Sequence, residues 1–330
     1  MTKTYRSLRN FWLGVLAAAL FGGVAPSPPL CAQEVAATTE QIAKVLDLRT
    51  FPLPKGGKPN SPPRLGTLSY EWKGSPVDAM QFVKEELLSS GWTEIPSPPT
   101  SAQSVAGTYR KEGFTLTAMT SPSFNNRRLA FVALRNTGNI DVTKLPVPKE
   151  AKQVFSSPGT VTFTVIGGKD DVAKKCCESM SSGGWELFSQ FGDQIAFRQN
   201  DMLLQLFFSE TNEDTDEVSI VIQTVLMSFD ISAPDGATSI FYDEGGTELS
   251  FITVKSSLEI GQFYTQSLSD AGWKPMTPAP VIGDSFSLEP TSSESMTFKN
   301  EAGDQIIIRI QPQNGKKITR VTHRTSKEVK

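Results

Sequence analysis

The chain has 330 residues, a formal net charge of −3, 38% hydrophobic residues, three cysteines and one histidine. That length suits two or three domains of about 100 residues, and the mild acidity offers no overall attraction to nucleic acid or anionic lipid. So few cysteines and a single histidine exclude a disulfide-stapled framework and a His-rich metal centre.

The N-terminus has the layout of a secretory leader. Lys3, Arg6 and Arg9 form a basic start, Phe11 to Ala25 is a mostly apolar run, and a Pro-rich exit ends at Ala32. Residues 1–32 therefore read as a signal peptide, with cleavage expected between Ala32 and Gln33. The apolar run falls short of the about 20 residues that span a membrane comfortably. Cys31 follows Leu30, where lipid-anchored proteins usually carry a small residue, which argues against a lipid anchor. Removing the leader takes away three basic residues and no acidic one, so the formal charge of −3 becomes −6.

Residues 33–47 read as a linker with a short helix over Thr39 to Leu46. Phe51-Pro52-Leu53-Pro54 breaks it, and Lys55 to Arg64 is loop by composition. A first unit, residues 48–143, has a strand over Gly66 to Lys73, then Ser75-Pro76, a helix cap followed by a proline suited to the first helical position. Its helix runs to Ser90 and its later strands fall near Val105–Lys111, Gly113–Thr120 and Arg128–Arg135. A second unit, residues 144–232, and a third, residues 233–330, each open on a proline and a short apolar pair, Val154-Phe155 and Ile240-Phe241. A turn then leads into the main strand, so both units read as having a front hairpin. Pro59, Pro62 and Pro63 leave that hairpin missing or distorted in the first unit. Later strands are expected at Trp185–Phe191, Gln194–Gln199, Met202–Ser209 and Val218–Val225, then at Ser285–Leu288, Met296–Lys299, Gln305–Ile310 and Lys317–Thr322. The C-terminal tail is basic: Lys316, Lys317, Arg320, Arg324, Lys327 and Lys330 face only Glu328.

What ties the units together is a Gly-Trp pair. Gly91-Trp92, Gly184-Trp185 and Gly272-Trp273 each follow an amphipathic helix, and the centres of the preceding strands, Tyr70, Phe163 and Phe251, lie 21 positions before the glycine every time. This is triplication. A helix commonly ends on a glycine at positive φ, with the next apolar residue folded back on the last turn. The expected contacts are Leu87, Met180 and Leu268, four positions before each glycine. Stepping back by fours gives Val83 and Ala79, Cys176 and Val172, and Tyr264 and Ile260, a core stripe. The fold class is therefore α+β: three tandem small two-layer domains, each one helix packed on a mostly antiparallel sheet of five to six strands.

Candidate chemistry is thin. Cys176 lies on the apolar stripe and Cys177 beside it, and adjacent cysteines in a helix lack the spacing of zinc or thioredoxin-like sites. Glu210, Glu213, Asp214, Asp216 and Glu217 crowd a hairpin tip without the order of a calcium loop. Asp170 and Asp171 open the second helix, where the helix dipole favours negative charge. His323 has no nucleophile elbow to serve, and Gly167-Gly168-Lys169 lacks the earlier glycine of a phosphate loop. No catalytic, cofactor-binding or metal residue is assigned.

The Pro-x-Gly/Ala entry, seen in Pro234-Asp235-Gly236-Ala237, the strand residues Leu249 and Phe251, the helix residues Phe263, Tyr264 and Leu268, and Gly272-Trp273 together resemble uncharacterised secreted bacterial proteins built of tandem α+β repeats. The resemblance covers nearly all of the chain after the leader. It implies a fold and an exported, periplasmic or extracellular, location, and carries no activity. The expectation is a non-catalytic binding or scaffold protein whose partner is an envelope or extracellular protein or glycan, with no nucleic acid, no cofactor and no membrane span after cleavage. The alternative is a secreted hydrolase using Asp or Glu carboxylates at an inter-domain cleft, since two such groups brought together by folding leave no local signature.

Overall fold

Three of the four helices in the described residues start on a locally encoded hydroxyl cap. Thr38 caps α1 (Thr39–Val45) through a reciprocal box with Gln41, Ser75 caps α2 (Pro76–Ser89), and Ser256 with Glu259 boxes α4 (Ser257–Asp270). Only α3 (Lys169–Ser182) begins on a residue without a side-chain cap, Gly168, and there Asp170 and Asp171 supply negative charge to the first turn. The computed structural model describes residues 35–96, 104–212, 216–229, 231–243, 247–276 and 294–326, all within one compact unit, Glu34–Lys330. The leader with Cys31, the expected strand Ser285–Leu288, the acidic residues Glu213 and Asp214, and the tail residues Lys327, Glu328 and Lys330 lie outside the described residues.

The first repeat holds β1 (Lys58–Pro59), β2 (Thr67–Trp72), α2, β3 (Thr93–Ile95), β4 (Val105–Lys111), β5 (Phe114–Pro122) and β6 (Ala130–Gly138). The second holds β7 (Lys152–Ser157), β8 (Thr160–Ile166), α3, β9 (Glu186–Phe191), β10 (Gln194–Gln199), β11 (Met202–Asn212) and β12 (Glu217–Leu226). In the third are β13 (Thr238–Asp243), β14 (Glu248–Thr253), α4, β15 (Lys274–Pro275), β16 (Glu294–Lys299), β17 (Gln305–Gln313) and β18 (Lys316–Arg324). Each repeat forms one antiparallel six-stranded sheet of the same order: β1-β2-β6-β5-β4-β3, β7-β8-β12-β11-β10-β9 and β13-β14-β18-β17-β16-β15. The helix thus carries the chain from the second strand to the far edge, and the last strand returns to pair with the second. This is the α+β arrangement expected from the repeat. In the first repeat the front hairpin is cut to a two-residue stub, because Pro62 and Pro63 have no N–H for a ladder.

The repeat length has a geometric cause. A 14-residue helix runs about 21 Å, matching a strand of six or seven residues at about 3.3 Å each. The helix therefore brings the chain back to the level at which its strand began. The inward stripe Ala79, Val83 and Leu87 is buried, as are Val172, Cys176 and Met180, and Ile260, Tyr264 and Leu268. Facing them are Tyr70, Phe163 and Phe251 at the centre of each second strand, paired with Val132, Ile220 and Thr319 of the last strand. Those registers align the repeats residue by residue.

The repeats are not beads on a string. One apolar core runs through the first two, joining Leu134, Val142 and Leu145 to Met202 and Leu226. A second fills the third repeat and takes in Leu203, Met227 and Phe229 from the second. Among the described residues no helix is long and apolar enough to cross a membrane.

Candidate functional site

The Gly-Trp pairs are helix ends. Gly91, Gly184 and Gly272 adopt φ of +82°, +78° and +84°, a conformation in which a Cβ would be strained. The N–H of Trp92, Trp185 and Trp273 donates to the carbonyl of Leu87, Met180 and Leu268 at 3.0, 3.1 and 2.9 Å, and each glycine N–H donates one residue further on, to Leu88, Ser181 and Ser269. This paired bonding caps carbonyls the helix leaves open. Trp92 and Trp185 are buried and Trp273 is half-buried on the core of the third repeat. These residues form framework and line neither of the two clefts described below.

The remaining candidates separate in the same way. Cys176 is buried and Cys177 half-buried; burial, then the neighbouring Cys177, pushes the Cys176 thiol up to about 12. Burial also raises Cys177. Glu210 and Glu217 sit at the ends of β11 and β12, where Thr211 donates to Glu217. His323 lies in the last strand, its ring 4.8 Å from Phe229 and 5.9 Å, edge to face, from Trp273. Its backbone N–H donates to the Thr247 carbonyl. Among the described residues no three His, Cys, Asp or Glu side chains converge as a metal site would require.

What the sequence reading missed is the junction between repeats. Asn136, Thr224 and His323 are the same position of the last strand, and their N–H groups donate to the carbonyls of Gly66, Gly159 and Thr247 at 2.8, 2.8 and 3.0 Å. All three are buried. Around Thr224 the first two repeats lock together: its hydroxyl donates to the Thr137 carbonyl at 2.9 Å, and the Arg135 guanidinium donates to the Thr224 carbonyl at 2.6 Å. Gly159 is needed for this approach, since a Cβ there would lie 2.6 Å from Thr137 Cβ. The second and third repeats join through Ser228 N–H on the Tyr242 hydroxyl and the Tyr264 hydroxyl on the Ser232 carbonyl. The N-terminal strap ties in as well. Thr39 N–H donates to Asp201, Ala36 N–H to Gln199 and Ala37 N–H to Asn139.

Two clefts open at corresponding junctions. One, of about 450 Å³, lies between the first and second repeats and is lined by Ile95, Arg110, Asn139, Asp141 and Ser156 to Gly159. The other, of about 670 Å³, lies between the third and first and is lined by Asp47, Arg49, Pro62, Pro63, Asp304 and Ser326. The first repeat therefore meets both others. Each cleft has an aspartate capping a single 3₁₀ turn, Asp141 at Val142–Lys144 and Asp47 at Leu48–Thr50.

The cleft carboxylates are engaged in holding these turns. Asp141 accepts from the Thr143 N–H and hydroxyl and pairs with Lys144 at 3.1 Å. Burial pushes its carboxyl up, but the bonds from Thr143 and Lys144 outweigh that and leave the pKa lowered. Asp47 receives the Arg49 N–H and both edges of its guanidinium fork at 2.8 to 2.9 Å. Asp304 accepts from the Ser326 N–H at 2.8 Å. A sequence signal for these turns existed: Leu46-Asp47-Leu48 and Ile140-Asp141-Val142 share a pattern with Phe229-Asp230-Ile231, of which Asp230 lies outside the described residues. No protein-family model matches the chain, and no curated protein matches it.

Proposed function

We propose that this chain is an exported, non-catalytic repeat protein that binds or scaffolds a protein or glycan of the cell envelope or extracellular space at its inter-repeat clefts. The observation that carries the reading is the pair of corresponding clefts, at the first–second and third–first junctions, built from the same turn and the same strand ends. Repetition of a framework multiplies a surface, and clefts between modules are common ligand sites. The leader-like pattern of residues 1–32 supports export.

The hydrolase alternative has its best case in Asp47 and Asp304, which share the larger cleft. Their bonding weighs against it, because a general acid needs an undedicated oxygen, and Asp47 and Asp304 already accept the Arg49 and Ser326 bonds described above. The two readings part in one experiment. Crosslinking of the mature chain in its native envelope is expected to capture a defined partner, and Asp304→Asn is expected to leave turnover of a hydrolase substrate panel at background. Turnover by the wild type that Asp304→Asn abolishes would replace binding with catalysis.

A further inference from the structure

We propose that the open face of the third sheet, the face turned away from α4, binds a polysaccharide that carries carboxylates, with Arg309 and Arg320 as its central anion contacts. The face is separate from the inter-repeat clefts and does not depend on them. Three observations carry the inference: a like-charge pair at the centre of the face, its absence from the other two sheets, and the polar chemistry around it.

Alternation sorts the strands of this sheet. Phe251, Ile308 and Val321 point into the core with Ile260, Tyr264 and Leu268 of α4. Arg309 on β17 and Arg320 on β18 therefore point the other way, and both are exposed. They are register partners across the two central strands of the sheet. Like charges directly opposite in an antiparallel pair are destabilising. Among the described residues the Arg309 guanidinium has no hydrogen-bond or ion-pair partner, and Arg320, its side chain 58% exposed, reaches Glu248 only at 3.8 Å. Lys299, Lys316 and Arg324 share the face by the same alternation. Its acids are Glu248 and Asp243, which oppose each other on β14 and β13. In a chain of net charge −3, cations are thus gathered on one surface, and much of the basic C-terminal run is a strand, since Lys316, Lys317, Arg320 and Arg324 belong to β18.

The framework does not require charge there. The same two positions hold Met119 and Ala133 in the first sheet and Phe207 and Val221 in the second, each pair also in register. The row through Arg309 and Arg320 continues to Ser295 on one side and to Ser250 and Phe241 on the other, and Thr297 and Thr322 stand in the next row. An arginine fork donates two parallel N–H···O bonds to a carboxylate. Hydroxyl side chains exchange hydrogen bonds with sugar hydroxyls, and Phe241, 44% exposed at the end of the row, offers a ring to the apolar face of a sugar. A polysaccharide lying across the strands meets these groups at the spacing of neighbouring strands, about 5 Å. Other anionic partners fit less well. Both central strands are paired on either side, so a peptide strand cannot add to them. One aromatic ring makes no track for stacked bases. Ile307 and Ile318, the apolar side chains between the cations, are half-buried, short of the exposed anchors that a membrane surface takes.

The test uses the mature chain, residues 33–330, with polygalacturonate as the probe and neutral dextran as its control. Expected by titration calorimetry are saturable binding to polygalacturonate alone, weakening as salt screens the exposed charges, and at least about tenfold weaker binding in Arg309→Gln and in Arg320→Gln. The thermal midpoint of Arg309→Gln should not fall, because the substitution breaks no bond and removes an opposed like charge. Arg127→Gln, which removes an exposed cation of the first repeat, should bind as the wild type does. Arg309 should react with phenylglyoxal in the free chain and be protected by polygalacturonate. The proposal is overturned by absence of binding, by binding that both face variants retain, or by an Arg309 that is unreactive in the free chain, which would mean the chain covers its own face. Equally tight binding of polyglutamate, duplex DNA or anionic phospholipid vesicles would assign the face to another class of partner and also overturn it, as would a concentration-dependent dimer abolished by Arg309→Gln. Partner capture without polygalacturonate binding would sink this inference and leave the cleft reading standing; polygalacturonate binding without capture would do the reverse.

Discussion

The cysteine pair shows how much one helical position changes a side chain's chemistry. Cys176 faces the sheet on the stripe shared with Val172 and Met180, while Cys177 is half-buried at the helix flank. Thiolate is the reactive form, and burial opposes its formation in both, more strongly in Cys176, which is pushed up to about 12. Labelling of the native chain with a thiol reagent at mildly alkaline pH should therefore modify Cys177 first and Cys176 only as α3 opens. Equal rates, followed by mass spectrometry of the labelled helix, would contradict this placement. Adjacency in the sequence already shows that the pair lacks zinc or thioredoxin-like spacing, and the period of the helix shows their different burial.

At the scale of the element, α2, α3 and α4 are each closed by a glycine that takes the left-handed conformation and a tryptophan that folds back to begin the next strand. Trp185 is a buried ring whose Nε1 has no hydrogen-bond partner among the described residues, as is Trp92. Its value is thus in packing, with the indole N–H a small liability. Trp185→Ala is expected to destabilise the chain by about 3–5 kcal/mol, and Trp185→Phe by clearly less because it keeps a ring and discards the unpaired donor. Urea denaturation followed by circular dichroism measures both. An unchanged midpoint in Trp185→Ala would show that the ring does not hold helix to sheet. The strand lengths were legible from alternation, but the two-residue β1 and β15 were not, because so short a pairing leaves no period to read.

For the whole molecule, the shared core matters more than the repeat count. The first two repeats have a continuous apolar cluster and lock at Thr224, whose hydroxyl bonds to Thr137 across the junction. Thr224→Val keeps the shape, removes the donor and leaves the Thr137 carbonyl buried without it, a loss of about 1–3 kcal/mol. Because the bond joins two sheets, amide exchange should quicken in β6 and β12 together. Quickening confined to β12 would mean that the first two repeats open independently.

The sequence by itself determined the three repeats, the helix on each sheet, the core stripe and the helix-closing Gly-Trp, because each of these is written in spacing along a single segment. Periods of two and 3.6 residues, and a constant strand-to-helix length, survive without knowledge of the rest of the chain. Only the tertiary structure decided that Asn136, Thr224 and His323 share one place and that Asp47 and Asp141 wall corresponding clefts. Those relations link residues roughly ninety positions apart through loops of unequal length, and nothing local fixes such distances. The framework was legible because packing repeats it; the clefts proposed to bind were not, because they exist only where one repeat meets the next.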